Sequence, residues 1–358
     1  MTEVGVADSS KAMRASPRVK AARRQQLGGI FAPGSPDRRA LPQPAVWPSV
    51  RIFLVISPSD SAAVDSLRPH VQRLRDSGHQ VTAHLPFESV DACKFALAAV
   101  SEGADLVIAA GGDGTIHHVA QGLHASREGG GSAPPFGIVP LGTGNDLAGA
   151  LGLPTDHGDA IRLALEGHPT PIDVGRLNGG TFVNVSTGGV GAEATEEAPD
   201  EVKRLLGRLA YLVTGLKKFV SLAPSRARFI AADGEQLYDG PFLIFAVGNG
   251  TRTGGGNLGT PRADMGDGLL DLCIVKEMSR VELFKLLPNL RAGTHLEHPA
   301  VVYRKVSTVV VEPEAELSVN ADGEPQQGKR YAYDISPHKL RLMLPHGASL
   351  TPGPPLPA

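Results

Sequence analysis

Apolar residues follow two regimes along this chain, and the change comes near residue 171. Before it, short apolar runs alternate with stretches of helical spacing. Residues 51–56 read as a buried strand, and Val64, Leu67, Val71 and Leu74 then recur every three or four positions, predicting a helix over 64–76 that Gly78 stops. Strands at 80–85, 106–110 and 136–139 and helices at 90–100 and 158–167 continue the alternation. Consecutive βα units predict a parallel sheet with right-handed crossovers, whose ligands sit beyond the carboxyl ends of the strands. After residue 171 short strands follow one another, at 171–176, 181–185, 226–232, 241–247, 269–275, 306–311, 315–320, 332–335 and 339–344. Turn signals such as Asn178-Gly179-Gly180, Asp233-Gly234 and Asp322-Gly323 separate them. This regime predicts an antiparallel β domain, a sandwich or a partly closed barrel, interrupted by helices at 199–221 and 279–293.

The pattern divides the chain into a flexible basic tail over 1–49, an α/β domain over 50–170, a β domain over 171–345 and a proline-rich tail over 346–358. The first tail lacks apolar periodicity and carries Arg14, Arg18, Lys20, Arg23 and Arg24. A length of 358 residues suits two domains with real cores. The net charge of −2 gives no electrostatic case for nucleic acid. Cys93 and Cys273 lie in apolar runs, as buried free thiols do, which fits a reducing cytoplasm. No apolar run approaches the ~18 residues of a membrane span.

Two strand ends carry chemistry. Leu106 to Ala110 runs into Gly111-Gly112-Asp113-Gly114-Thr115, and Ile116, Val119 and Leu123 then mark a helix. A glycine turn opening a helix lets an anion approach free N–H groups at the positive end of the helix dipole. A carboxylate beside phosphate is unfavourable unless it holds a metal ion, a water or a hydroxyl, so Asp113 sharpens the reading. The segment Pro140-Leu141-Gly142-Thr143-Gly144-Asn145-Asp146 repeats the arrangement after the next strand. Asn145 or Asp146 alone would pass for a helix cap. Together with Thr143 and two glycines they read as a second nucleotide contact.

These two motifs, in this order and spacing, resemble the diacylglycerol-kinase catalytic-domain family, and most of all its bacterial YegS-like lipid kinases. The likeness runs on through Thr187-Gly188-Gly189, Tyr211-Leu212, Val247-Gly248-Asn249-Gly250, Gly254-Gly255-Gly256, 261–274 and Asp322-Gly323-Glu324. The resemblance implies a nucleotide-binding α/β domain with a parallel sheet, an antiparallel β-sandwich domain, and an active site in the cleft between them. It implies ATP and Mg2+ as cofactors. Gly111, Gly112, Asp113, Gly114, Thr115, Ile116 and His117 would hold the phosphates, with Thr143, Asn145 and Asp146 from the second motif. Ser57, Ser59 and Ser61 follow the first strand, Ser57 standing where the family has Asn. Asp267 would ligate magnesium by its side chain, with backbone oxygens of Asp264 and Leu269. The proton acceptor would be Asp322 or Glu324; sequence alone reads the same residues as a type I′ hairpin turn. Asp113 would organise the ion that bridges the phosphates. His117-His118 departs from the family, which has Asn-Glu there.

The implied activity is transfer of the γ-phosphate of ATP to the hydroxyl of a lipid alcohol such as diacylglycerol. An NAD kinase shares the Gly-Gly-Asp-Gly-Thr loop and is the alternative enzyme; a nucleotide-binding regulator without catalysis is the other alternative. The implied partner is a lipid at a membrane surface, met from the cytoplasm at the inner face, by a chain free to form a homo-oligomer.

Overall fold

The structure is a computed structural model and describes residues 49–57, 61–88, 90–189 and 224–350. The predicted helix at 199–221, the tail up to 48 and residues 351–358 lie outside the described residues. Both sheets belong to one compact unit that begins at Ser49.

The first sheet is built from β1 (Arg51–Ser57), β2 (Gln80–His84), β3 (Leu106–Gly111), β4 (Phe136–Pro140), β5 (His168–Ile172) and a strand from the far end of the chain. Pairing of β1 with β2 and β3, and of β3 with β4, is parallel. Between them run α1 (Ser61–Asp76), α2 (Asp91–Ser101), α3 (Asp113–Glu128), the short α4 (Asp146–Ala150) and α5 (His157–Glu166). Strand side chains alternate between faces, so β1 feeds two cores at once. Phe53 and Val55 pack with Ala92 and Ala96 of α2 and Ile116, Val119 and Leu123 of α3. Ile52, Leu54 and Ile56 pack with Leu67 and Leu74 of α1 and Ala160 and Ile161 of α5.

The second sheet is antiparallel and has eleven strands: β6 (Gly175–Leu177), β7 (Gly180–Phe182), β8 (Val185–Gly189), β9 (Ser225–Ala231), β10 (Gln236–Gly248), β13 (Leu270–Lys276), β14 (Val301–Val306), β15 (Thr308–Pro313), β16 (Leu317–Ala321), β17 (Glu324–Gly328) and β18 (Tyr331–Ile335). The two-residue strands β11 (Arg252–Thr253) and β12 (Asn257–Leu258) form a separate ribbon. The long β10 gives its first half to β9 and its second half to β8 while β13 runs along its other edge, which folds the sheet over. Residues from nine of its strands meet in one core around Phe229, Phe242, Phe245, Tyr331 and Tyr333. The predicted helix at 279–293 is α6 (Arg280–Ala292), started by a Ser279–Glu282 capping box and ended by Gly293 in the left-handed region.

Two predicted strands change sheet. The segment expected at 339–344 in the β domain is β19 (Leu340–Leu344), which pairs parallel with β4 and antiparallel with β5 in the first sheet. The single strand expected over 171–176 is two: β5 ends at Ile172 in the first sheet and β6 begins at Gly175 in the second. Alternation of side chains is the same whichever sheet receives a strand, so the period cannot choose the partner. The polypeptide therefore crosses between the lobes around Asp173 and again after Ile335. Asp173, fully buried, accepts the Gly268 N–H and pairs with Lys339 at the second crossing.

Candidate active site

Ser57, Gly111 and Pro140 are neighbours in register, so the turns after β1, β3 and β4 lie along one edge. Gly112 caps α3 in an extended conformation, and the helix starts at Asp113, three residues before the apolar period shows it. First-turn N–H groups have no partner inside a helix and point beyond the strand ends. A Cβ on Gly142 would lie 2.6 Å from the Gly112 Cα, so the two glycine turns touch backbone to backbone. Asn145 sits in the left-handed region at φ 51° and folds back on its own turn. Its Oδ1 accepts the Gly142 N–H (3.0 Å) and its Nδ2 donates to the Gly142 carbonyl (2.7 Å). Thr143 is exposed at the tip of that turn, while Thr115 is buried, packed over Gly111. Ile116 packs in the core and also lines the cavity between the lobes. Ser61 opens α1, and Ser59 lies outside the described residues.

Four carboxylates approach the gap between the lobes. Asp113 Oδ1 accepts the Leu147 N–H (3.3 Å), tying the first turn to the start of α4. Burial is the main force raising the Asp113 carboxyl above its ordinary value; the amides of Asp146 and Leu147 oppose it, and the charges of Asp146 and Asp322 add to it. Asp146 reaches the other lobe, accepting the N–H groups of Gly255 (2.9 Å) and Gly256 (2.6 Å) between β11 and β12. On the hairpin, Asp322 and Gly323 have φ values of 52° and 105° and form the tight turn that Asp-Gly predicts. Asp322 is saturated: it accepts N–H groups from Val183 (2.6 Å), Asn184 (3.0 Å) and Val185 (3.1 Å), and His117 Nδ1 lies 3.1 Å from its Oδ2. Glu324 differs. Its side chain is 48% exposed, and its one partner among the described residues is His118, Nε2 to Oε1 at 3.3 Å.

The side of α3 facing the β lobe thus carries histidines. His117 and His118 meet the hairpin, and two turns further His124 bonds Ser336 (2.7 Å) and Thr181 (3.1 Å). Burial works against the charged form of His117, yet the hydrogen bond and charge of Asp322, with the charge of Glu324, hold its pKa above the ordinary value. A cavity of about 250 Å³ opens beside this joint, lined by Asp113, Asp146 and Leu147 from one lobe and Thr187, Asn320 and Asp322 from the other.

The expected magnesium ligands are arranged otherwise. Asp267 Oδ1 accepts the Leu269 N–H (3.0 Å), and its Oδ2 pairs with Lys305 Nζ (2.5 Å). Asp264 Oδ1 accepts the Gly266 N–H (2.9 Å). Lys305 also lies 3.7 Å from fully buried Asp271, so one ammonium serves two carboxylates. The carboxylate expected to ligate the ion is thus engaged by a protein cation in this structure. Among the described residues no group of three or more His, Cys, Asp or Glu is placed to hold a metal. No helix of the described residues is long and apolar enough to cross a membrane.

Of the expected site residues, Asp113, Ile116, Asp146 and Asp322 line the cavity, and Gly111, Gly112, Thr143, His117 and Glu324 join it through the contacts above. The structure sets Asp264, Asp267 and Leu269 apart at the Lys305 cluster, and gives the Asn145 side chain to its own turn. His118, Asn320, Asn184 and Thr187 were not among the expected contacts. Of these, His118 carried a signal as a departure from Asn-Glu, and Thr187 as part of the Thr187-Gly188-Gly189 likeness. Asn320 accepts the Gly323 N–H through Oδ1 (2.7 Å) while its Nδ2 is buried without a partner among the described residues.

Comparison with known proteins agrees with this fold. Residues 52–177 match the diacylglycerol kinase catalytic domain, and residues 184–344 match the YegS C-terminal NAD kinase beta sandwich-like domain. A protein of Pseudomonas aeruginosa named "Probable lipid kinase YegS-like" is 35% identical over 305 residues, covering 85% of this chain and 98% of the relative. A relative of the same name from Chromohalobacter salexigens is 37% identical over 291 residues, covering 81% and 92%. The crystal structure of a diacylglycerol kinase from Bacillus anthracis superimposes with a TM-score of 0.65 at 23% identity, covering 82% of this chain and 96% of that one, a likeness of fold. Two family domains in the right order, a matching fold and relatives aligned along nearly their whole length together show that this chain belongs to the diacylglycerol-kinase catalytic-domain family, in its YegS-like lipid kinase branch.

Proposed function

We propose that this protein transfers the γ-phosphate of ATP to the hydroxyl of a lipid alcohol, with diacylglycerol as the model acceptor. The observation that carries the reading is the cavity between the lobes, bounded by Asp113 and Asp146 beside the glycine turns on one side and Asp322 of the hairpin on the other. Phosphoryl transfer asks for positioning, neutralisation of charge and a proton acceptor. The paired turns at Gly112 and Gly142 supply amides and a helix N-terminus for phosphate oxygens, with exposed Thr143 beside them. Asp113, Asp146 and Asp322 around one cavity suit a phosphate that arrives with its cation, so ATP enters as its magnesium complex.

Of the two hairpin carboxylates, Glu324 is assigned the role of proton acceptor. Asp322 spends its lone pairs on three N–H groups and His117. Glu324 has one neighbour and an oxygen to spare. A base must keep an acceptor free for the incoming hydroxyl proton. The lipid would meet the cleft at a membrane surface reached from the cytoplasm.

The test is transfer of label from radiolabelled ATP in mixed micelles holding dioleoylglycerol, phosphatidylglycerol or a sphingoid base, with NAD as a parallel acceptor. Label is expected in the lipid extract. Label on NAD alone, or ATP binding without transfer to any acceptor, would overturn the reading.

A further inference from the structure

Two histidines of one helix bridge to two carboxylates of one hairpin, and the two bridges are unlike. His117 meets Asp322, a carboxylate already filled by amides. His118 meets Glu324. The opposite edge of the His118 ring is held as well, Nδ1 lying 3.4 Å from the Gln121 side-chain amide one turn on. The ring is thus braced between Gln121 and Glu324, with Nε2 3.3 Å from Glu324 Oε1, where an Nε2–H donates to one carboxylate oxygen and leaves the other free.

We propose that His118 is a positioning residue for Glu324, holding one carboxylate oxygen so that the other faces the substrate hydroxyl. This rests on the lipid-kinase reading. The lipid oxygen forms its bond to the γ-phosphorus as the bond to the ADP oxygen breaks. The hydroxyl proton moves to the outward Glu324 oxygen and leaves from there to solvent before the next turnover, while Oε1 stays on His118 Nε2. Asn-Glu, the usual pair at these two positions, offers no imidazole to hold this route in place.

The groups around His118 leave this route clear. The hairpin brings Asp322 and Glu324, and His117 stands beside it, ring centroids 5.0 Å apart. Helix α2, packed on α3, brings Cys93, whose thiol burial pushes up, and its Asp91 and Lys94 pair with each other. Strands β3 and β7 bring no ionisable side chain. From β1 and β19 come only Arg51, bound to Asp105 and Glu102, and Arg341, bound to the Ala133 carbonyl.

The test compares wild type with His118→Ala and His118→Gln on dioleoylglycerol in mixed micelles with magnesium ATP, after comparing their melting temperatures. Gln keeps an amide donor toward Glu324, and Ala has none. Expected are unchanged KM values for ATP and lipid, a kcat lower by about tenfold or more in His118→Ala, and recovery of most of that loss in His118→Gln. A His118→Ala variant with wild-type kcat overturns the inference, as does a loss that lies only in KM or melting temperature or that Gln does not reduce. If His118→Ala does not fold, His118→Leu takes its place under the same outcomes. A wild type that phosphorylates no lipid of the panel defeats the kinase reading instead.

Discussion

The turn at Gly111 to Thr115 and the hairpin at Asp322 to Glu324 face one cleft from opposite lobes, yet they build it differently. The first works through backbone: its glycines let Gly142 approach, and its amides are supplied by the start of α3. Its carboxylate is drawn into structure, since Asp113 caps α4. The hairpin works through side chains, and it splits their tasks. Asp322 gathers three amides and a histidine; Glu324, two residues on, keeps one neighbour and half its surface in solvent. In a cleft crowded with acid groups, the number of donors already satisfied separates carboxylates that hold the lobes together from one that can take a proton.

The sharpest way to break this comparison is to remove one negative charge at a time. Glu324→Gln is expected to lower kcat by ~10²–10⁴-fold with an unchanged melting temperature. Asp322→Asn is expected to do the reverse in kind. Its amide nitrogen cannot accept an N–H, so a buried set of donors loses a partner at a cost of ~2–4 kcal/mol. Thermal denaturation and steady-state rates on the same preparations check both. Equal losses of stability in the two variants would merge the roles that the geometry separates.

The backbone side is tested at the contact of the two turns. Gly142→Ala puts a methyl 2.6 Å from the Gly112 Cα, where backbone cannot yield cheaply. The turns must separate, and displacement of this size costs ~10²-fold in kcat/KM for ATP. Lipid KM should hardly move, while the melting temperature falls by the cost of parting the two turns.

How much of this was legible depends on whether a feature is local. An apolar strand ending in glycines announces its turn, because strand, turn and helix start are adjacent in the chain. Asp322-Gly323 announces its tight turn for the same reason. The partners of these residues are not local. His117 and Asp322 are 205 residues apart, and nothing in a helical period says which hairpin the helix will face. The strand Leu340–Leu344 was visible as a strand and misassigned to a sheet, since it returns across the whole β lobe to lie beside β4. Asn145 read as a ligand because polar residues in glycine turns often are; its left-handed backbone instead lets the amide close on Gly142. The pairing of Asp267 with Lys305 was hidden for the same reason, since the strand that brings Lys305 comes 38 residues later.

Lys305 carries the next prediction. Chelating magnesium with EDTA is expected to abolish transfer, since ATP loses its cation, and to leave the melting temperature of the nucleotide-free protein unchanged. Lys305→Met is expected to lower stability by ~1–3 kcal/mol, a range kept modest because the ammonium is partly exposed. It leaves Asp267 and buried Asp271 to repel each other, so added magnesium should restore part of the loss in the variant only. A wild-type melting temperature that falls with EDTA would return the metal to Asp267.

The smallest expected effect lies in the other bridge of the hairpin. His117 has its pKa raised in the folded protein by Asp322 and Glu324 in spite of burial. A raised folded pKa means that the charged pair stabilises fully below the unfolded value of ~6.5. That contribution is lost as pH rises through the folded value. The melting temperature of wild type should therefore decline across this window relative to His117→Asn, which has no charge to lose. The two curves should run parallel above it. Both lobes share this pair, so the decline should be matched by faster amide exchange at Val183 and Val185, whose N–H groups rest on Asp322. A difference between the curves that does not vary with pH would mean that His117 bridges the lobes as a neutral donor.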